Sequence, residues 1–191
     1  PETGGDLADD LERIASNFGP ENIAACIVEP IAGSTGTLVP PKGYLQRLRE
    51  ICDKHGILLI FDEVITGWGR TGSAFASHEF GVTPDLMTMA KATTNGVVPM
   101  GVVACKDEIY DAVMDASPMG SVELFHGYTY SGIPVAVAAG LAVQDIFEKE
   151  DIFNRAKNLA PYFQKGLFSL QDLESVENIR GYGMMGGIEM K

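Results

Sequence analysis

From residue 7 onward the chain alternates between two hydrophobic rhythms. Leu7, Leu11, Ile14 and Phe18 recur at three- and four-residue intervals, which predicts an amphipathic helix closed by Gly19-Pro20. Ile23 to Val28 is a short apolar, partly β-branched run, the pattern of a buried strand ending at Glu29-Pro30. A loop follows through Ala32-Gly33-Ser34-Thr35-Gly36. Leu45, Leu48, Ile51 and Cys52 then share one face of a helix over 44–55, which Gly56 stops. Ile57 to Phe61 is uninterruptedly apolar and runs into two acids, Asp62-Glu63. Further strands are predicted over 86–89 and 101–105, with a loop from Lys91 to Pro99 between them. Further helices are predicted over 108–114, 134–147 and 152–170, and Ile188 to Lys191 reads as part of a last strand.

Strand and helix in this alternation predict an α/β sandwich with a mostly parallel sheet. Such sheets bind ligands at the carboxyl ends of their strands. Glu29, Asp62 and the loop carrying Lys91 all directly follow such ends.

Composition narrows the function without choosing it. With 191 residues, 46% of them hydrophobic, the chain can bury the core of one ordinary domain. A net charge of -12 argues against nucleic acid and anionic membranes, whose recognition needs positive surface. Small molecules and protein partners are favoured instead. Three cysteines, Cys26, Cys52 and Cys105, are far apart and form no C-x-x-C pair, which favours neither a disulfide framework nor a zinc site. A reducing, cytoplasmic setting is expected. No apolar run reaches the length of a membrane span, and Pro1-Glu2-Thr3-Gly4-Gly5 has neither a basic nor an apolar leader region. The opening lacks Met and the chain stops within the last strand, so a piece of a longer protein is expected.

Two residues stand out as chemistry. The carboxylate of Asp62, at the rim of an apolar strand, is costly there without a partner. A helix cap or structural ion pair is the plain reading; metal binding by Asp62-Glu63 is another, because an apolar strand followed by Asp-Glu is also a Walker B pattern. That reading needs a G-x-x-x-x-G-K-[ST] loop, which the stretch from Gly36 to Gly43 does not supply. Lys91 follows an apolar strand and sits between Ala90 and Ala92, a setting in which partial desolvation would favour the neutral, nucleophilic amine. A solvated surface lysine is the plain reading of Lys91 alone. Together the two residues make the pair that pyridoxal phosphate needs, a lysine for its aldehyde and a carboxylate for its ring nitrogen.

The surrounding motifs strengthen this. Glu29-Pro30-Ile31-Ala32-Gly33-Ser34-Thr35-Gly36, then Phe61-Asp62-Glu63-Val64-Ile65-Thr66-Gly67-Trp68-Gly69-Arg70-Thr71-Gly72, then Ala90-Lys91-Ala92-Thr93-Thr94-Asn95-Gly96 resemble successive motifs of the class III aminotransferases. Lys91 stands 29 residues after Asp62, as in that family. His126-Gly127-Tyr128-Thr129-Tyr130-Ser131-Gly132 continues the likeness, which extends from about Leu7 to Met190. Within the family the chain is most similar to omega-amino-acid (beta-alanine):pyruvate aminotransferases.

The resemblance implies the large domain of the fold type I pyridoxal-phosphate enzymes, a three-layer sandwich, over 1–170. It implies the start of a C-terminal small domain over 171–191. It implies pyridoxal 5'-phosphate as cofactor, with Lys91 as its covalent attachment and proton shuttle, and Asp62 keeping the ring nitrogen protonated. Val64 would lie against one ring face; without the motif it is an ordinary core valine. Thr129 would bind the cofactor phosphate of the neighbouring subunit in a homodimer; without the motif it is a turn threonine. Ser34 stands where some relatives carry a glutamate that pairs with a substrate-binding arginine, an ion pair that serine cannot make.

Some positions depart from the family pattern. Trp68 stands where Phe is usual, Ala92 where Gly or Gln is common, and Ile133 where a histidine often precedes the proline. Arg70 and Arg180 are expected to be structural, since the family's substrate arginine and its amino-terminal phosphate site fall outside 1–191. The activity implied is transfer of an amino group to pyruvate or another keto acid. Racemase or aminomutase chemistry on the same scaffold, a nucleotide- or metal-binding domain, and a non-enzymatic binding module remain as alternatives.

Overall fold

The computed structural model describes residues 4–119, 124 and 129–191. In chain order the elements are α1 (Gly5–Phe18), β1 (Ala25–Val28), α2 (Tyr44–His55), β2 (Leu58–Asp62), α3 (Ala76–Phe80), β3 (Leu86–Met89), β4 (Val102–Cys105), α4 (Asp107–Ala116), α5 (Pro134–Lys149), α6 (Ile152–Phe168), β5 (Val176–Tyr182) and β6 (Met185–Met190). Strands β1 to β4 lie side by side in sequence order. The pairs β1–β2 and β2–β3 are parallel, and β4 joins β3 antiparallel. The expected mostly parallel α/β sheet is therefore present.

Helices α1 and α2 cover one face of this sheet. Ala15 of α1, Leu45 and Cys52 of α2, and Leu59 and Phe61 of β2 are all nearly inaccessible to solvent and form the core. The other face carries Ile27, Leu58 and Val103, all exposed. Strands apolar on both faces call for helices on both, and that bare row is the face a three-layer sandwich covers with its second helical layer. No helix of the described residues is long and apolar enough to cross a membrane.

The amino end of the sheet is tied by charge. Asp85, immediately before β3, is 8% exposed and meets Arg49 of α2 at 2.8 Å and Lys106, at the start of α4, at 2.7 Å. It also accepts the Leu59 N–H at 2.7 Å, so one carboxylate joins α2, β2, β3 and α4. Burial by itself would raise its pKa, but the hydrogen bonds from Lys106, Leu59 N–H and Arg49 outweigh that and hold the carboxyl below its ordinary value.

Strands β5 and β6 form a separate antiparallel hairpin. Its turn is glycine-dependent: Gly183 has φ +56°, and a Cβ there would meet the carbonyl oxygen of Arg70. The hairpin packs on α6 and reaches back to the carboxyl end of the main sheet. Met184 N–H donates to Arg70 O at 2.8 Å, and Arg180 Nε donates to Gly36 O at 2.7 Å.

Candidate active site

Parallel pairing brings the ends of β1, β2 and β3 to one edge. Val28 aligns with Phe61 and Asp62 with Thr88, three residues before Lys91. Along this edge, between the main sheet and the hairpin, lies an open cleft of about 650 Å³. Its walls include Ser34 and Thr37 of the β1–α2 loop, Val64 of the β2–α3 loop, Lys91, and Met184 and Met185 of the hairpin. Its volume is typical of sites for small organic ligands.

Each wall is held by local chemistry. Glu29 accepts the Gly33 N–H at 2.9 Å, Arg180 holds Gly36 from the hairpin side, and the loop between is thereby fixed at both ends. Asp62 is half-buried, and its Oδ1 accepts the Val64 N–H at 3.1 Å. Its Oδ2 has no partner among the described residues. Asp62 does not itself line the cleft; Val64, two residues on and half-buried, does.

Glu63 is fully buried, and both of its carboxylate oxygens are engaged inside the protein. Its Oε2 accepts from Thr66 Oγ1 at 2.6 Å and Ala76 N at 2.9 Å, while Oε1 accepts from Ser77 N at 2.7 Å. The carboxylate thus caps the free N–H groups at the start of α3. The acid pair divides its labour, with Glu63 structural and Asp62 next to the cleft. Among the described residues no group of three or more His, Cys, Asp or Glu is placed to hold a metal.

Lys91 opens a 3₁₀ turn over Lys91–Thr93 with φ +44°, a left-handed conformation that a non-glycine residue adopts at a cost of about 1–3 kcal/mol. Thr93 N–H closes the turn on Ala90 O at 2.9 Å, and Gly96 N–H donates to Lys91 O at 3.1 Å. The partial desolvation expected for this lysine is not found, for Lys91 is exposed. Its cleft-side neighbours Ala92, Asn95 and Gly96 are too short to cover a lysine chain, so the small residues that leave room for a flat ring also leave the amine in water.

Thr129 lies at an exposed turn before α5 and is not part of this cleft. The preceding His126-Gly127-Tyr128 stretch lies outside the described residues. Arg180 is structural, as expected, bridging Gly36 O and Glu189, the latter at 2.7 Å. The backbone of Arg70 is structural too, but its exposed side chain lines the cleft. Sequence reasoning missed the hairpin wall of Met184 and Met185. The available signal was the glycine density of Gly181-Tyr182-Gly183-Met184-Met185-Gly186-Gly187, which marks a tight turn next to close backbone packing.

Comparison with known proteins points to one family. The family model described as aminotransferase class-III matches residues 5–191. An omega-aminotransferase of Caulobacter vibrioides is 58% identical over the whole of this chain and 43% of its own length. A beta-alanine–pyruvate aminotransferase of Pseudomonas aeruginosa is 54% identical over 99% of this chain and 43% of its own length. Among solved structures, an (S)-enantioselective omega-transaminase from Thermomicrobium roseum superposes with a TM-score of 0.92 at 41% identity, covering 98% of this chain and 41% of that one. The chain spans less than half the length of these relatives. It belongs to the class III aminotransferases.

Proposed function

We propose that the full-length protein carrying this chain is a pyridoxal-phosphate-dependent aminotransferase that moves an amino group from an omega-amino acid or amine to pyruvate or another keto acid. The observation that carries the reading is the convergence of Lys91, in a strained left-handed turn, and Val64, held by Asp62, on one cleft at the carboxyl edge of the sheet. The residues present suit the cofactor. The cleft has the volume for a substituted pyridine ring, alanines flank Lys91 in the chain, and among the described residues one carboxylate oxygen of Asp62 is uncommitted. The names of the relatives from Caulobacter vibrioides and Pseudomonas aeruginosa support the omega-amino donor and the pyruvate acceptor.

Bound here, the cofactor supplies an electron sink for the carbon from which the amino donor loses its proton. Lys91 Nζ would hold it covalently, and as a free amine would take up and return the proton at the donor carbon. Asp62 would keep the ring nitrogen protonated through Oδ2, while the Val64 N–H holds Oδ1 and so sets the carboxylate's orientation. Val64 would lie against one face of the ring. Thr129 would hold the cofactor phosphate of a neighbouring subunit, which would make the working unit a homodimer. Residues 1–170 belong to the cofactor-binding large domain, and 171–191 begin the small domain.

Borohydride reduction of the loaded full-length protein, followed by peptide mass mapping, tests the assignment. The phosphopyridoxyl group is expected on Lys91, and Lys91→Ala is expected to lower turnover by about 10²–10⁴-fold. The group on any other lysine, or near-normal turnover by Lys91→Ala, would overturn it.

A further inference from the structure

Trp68 joins the strained backbone of the β2–α3 loop to the turn that carries Lys91. Its own φ is +60°, and its ring lies between Phe75, with centroids 5.0 Å apart, and Phe147 of α5, at 5.7 Å in a stacked arrangement. From that position Nε1–H donates to Thr93 Oγ1 at 3.1 Å. Thr93 Oγ1 in turn donates to Ala90 O at 2.9 Å, the carbonyl that also receives the Thr93 N–H.

The polarity of this relay is fixed by its donors. An indole N–H can only donate, and a hydroxyl has one hydrogen, so Thr93 accepts from Trp68 and gives to Ala90. Thr93 is 5% exposed, which leaves little access for water to take over either role. Both hydrogen bonds donated by Thr93 thus close on the carbonyl preceding Lys91, across the residue whose left-handed φ needs external support. Neither Trp68 nor Thr93 lines the 650 Å³ cleft, so neither meets a ligand there.

We propose that Trp68 is a positioning residue for Lys91, acting through Thr93 to hold the lysine's turn in its strained conformation. The inference rests on the reading of Lys91 as the cofactor-binding amine. Phenylalanine at 68 keeps a ring between Phe75 and Phe147 but cannot make the bond.

The test uses the full-length protein with Trp68→Phe, Thr93→Val and Thr93→Ser. Two quantities are read: the Kd for pyridoxal phosphate by absorbance titration of the apoprotein, and amide hydrogen exchange at Thr93 and Gly96. Loss of one such hydrogen bond is expected to weaken Kd and speed exchange roughly fivefold each in Trp68→Phe and in Thr93→Val. Thr93→Ser, which keeps the hydroxyl, is expected to behave like the natural protein. The double variant Trp68→Phe/Thr93→Val is expected to be no worse than the worse single one, because both break the same relay. Unchanged exchange, or faster exchange with unchanged Kd, overturns the proposal. Should Trp68→Phe fail to fold, Thr93→Val decides alone, since it leaves the indole packing in place. Borohydride mapping separates the two readings: label on another lysine defeats the assignment of Lys91, whereas label on Lys91 with unaltered Kd in both variants defeats only the positioning role.

Discussion

Two aspartates at opposite ends of the same sheet have opposite surroundings. Asp85, at the amino end of β3, meets two cations and a backbone N–H, and is almost wholly buried. Asp62, at the carboxyl end of β2, receives a single backbone N–H, and its second oxygen has no partner among the described residues. A carboxylate whose oxygens are all engaged holds elements together. One left half-satisfied next to a cleft can accept a donor from a ligand. The structural carboxylate and the proposed chemical one thus occupy different edges of one sheet, as the general placement of ligand sites in parallel sheets implies.

The largest expected effect that separates the two comes from Asp62→Asn. Asparagine keeps the shape, and its carbonyl oxygen can still accept the Val64 N–H, so the thermal midpoint of the full-length protein is expected to stay close to that of the natural one. On the proposed role of Asp62, loss of the charge that would keep the ring nitrogen protonated is expected to lower transamination by about 10²–10³-fold while cofactor still binds. Near-normal turnover would remove Asp62 from the chemistry and dissolve the contrast.

Asp85→Asn is expected to do the reverse. Arg49 and Lys106 would face a neutral amide, and a partly buried cluster broken in this way should cost roughly 2–3 kcal/mol, with activity retained well below the unfolding midpoint. The pH dependence follows from the lowered carboxyl pKa. In the unfolded chain the group titrates near its ordinary value of about 3.9. Its contribution to stability is therefore full above that pH and is lost as pH falls through the lower folded value. Denaturant midpoints measured across the acid range should show a shallower acid loss in Asp85→Asn than in the natural protein. Parallel acid branches would mean that Asp85 is not what those cations stabilise.

The same contrast explains what could be read in the sequence. Helix α2 was legible to the residue, because Leu45, Leu48, Ile51 and Cys52 are periodic and Gly56 adopts the left-handed cap that ends it. The carboxyl-edge positions of Asp62 and Lys91 were also legible, since apolar strands end visibly where polar residues begin. Helix α3 was not, for its five residues are too few to show a period, and its start is capped by Glu63, thirteen residues earlier in the chain. Nor was β5 legible, because Val176-Glu177-Asn178-Ile179-Arg180-Gly181-Tyr182 mixes charge and glycine, and the strand forms by pairing with β6. The exposure of Lys91 escaped for a related reason: small neighbours suggest a snug site, whereas shelter depends on what distant segments bring. Trp68 was visible as a departure from its family, but its bond to Thr93 exists only in three dimensions.

The smallest effect concerns the hairpin that forms the cleft's outer wall. Tyr182 of β5 donates its hydroxyl to Glu79 Oε1 at 2.7 Å, while Ser73 donates to the other oxygen at 2.5 Å, so the β2–α3 loop and the hairpin share one carboxylate of α3. Burial, followed by the hydrogen bond to Glu79 and its negative charge, pushes the phenol up to about 12. The fold therefore favours the neutral phenol. That contribution is present below the ordinary phenol pKa of about 10 and is lost as pH rises from there through the folded value. Tyr182→Phe leaves the ring against Phe80, with centroids 5.5 Å apart in the natural chain, and removes only the hydroxyl. A loss of about 1 kcal/mol is expected near neutral pH, shrinking above pH 10 as the natural protein forfeits the same bond. Denaturant midpoints at neutral and alkaline pH measure both. A difference between the two proteins that stays constant to alkaline pH would show that the hydroxyl's contribution is not tied to its protonation.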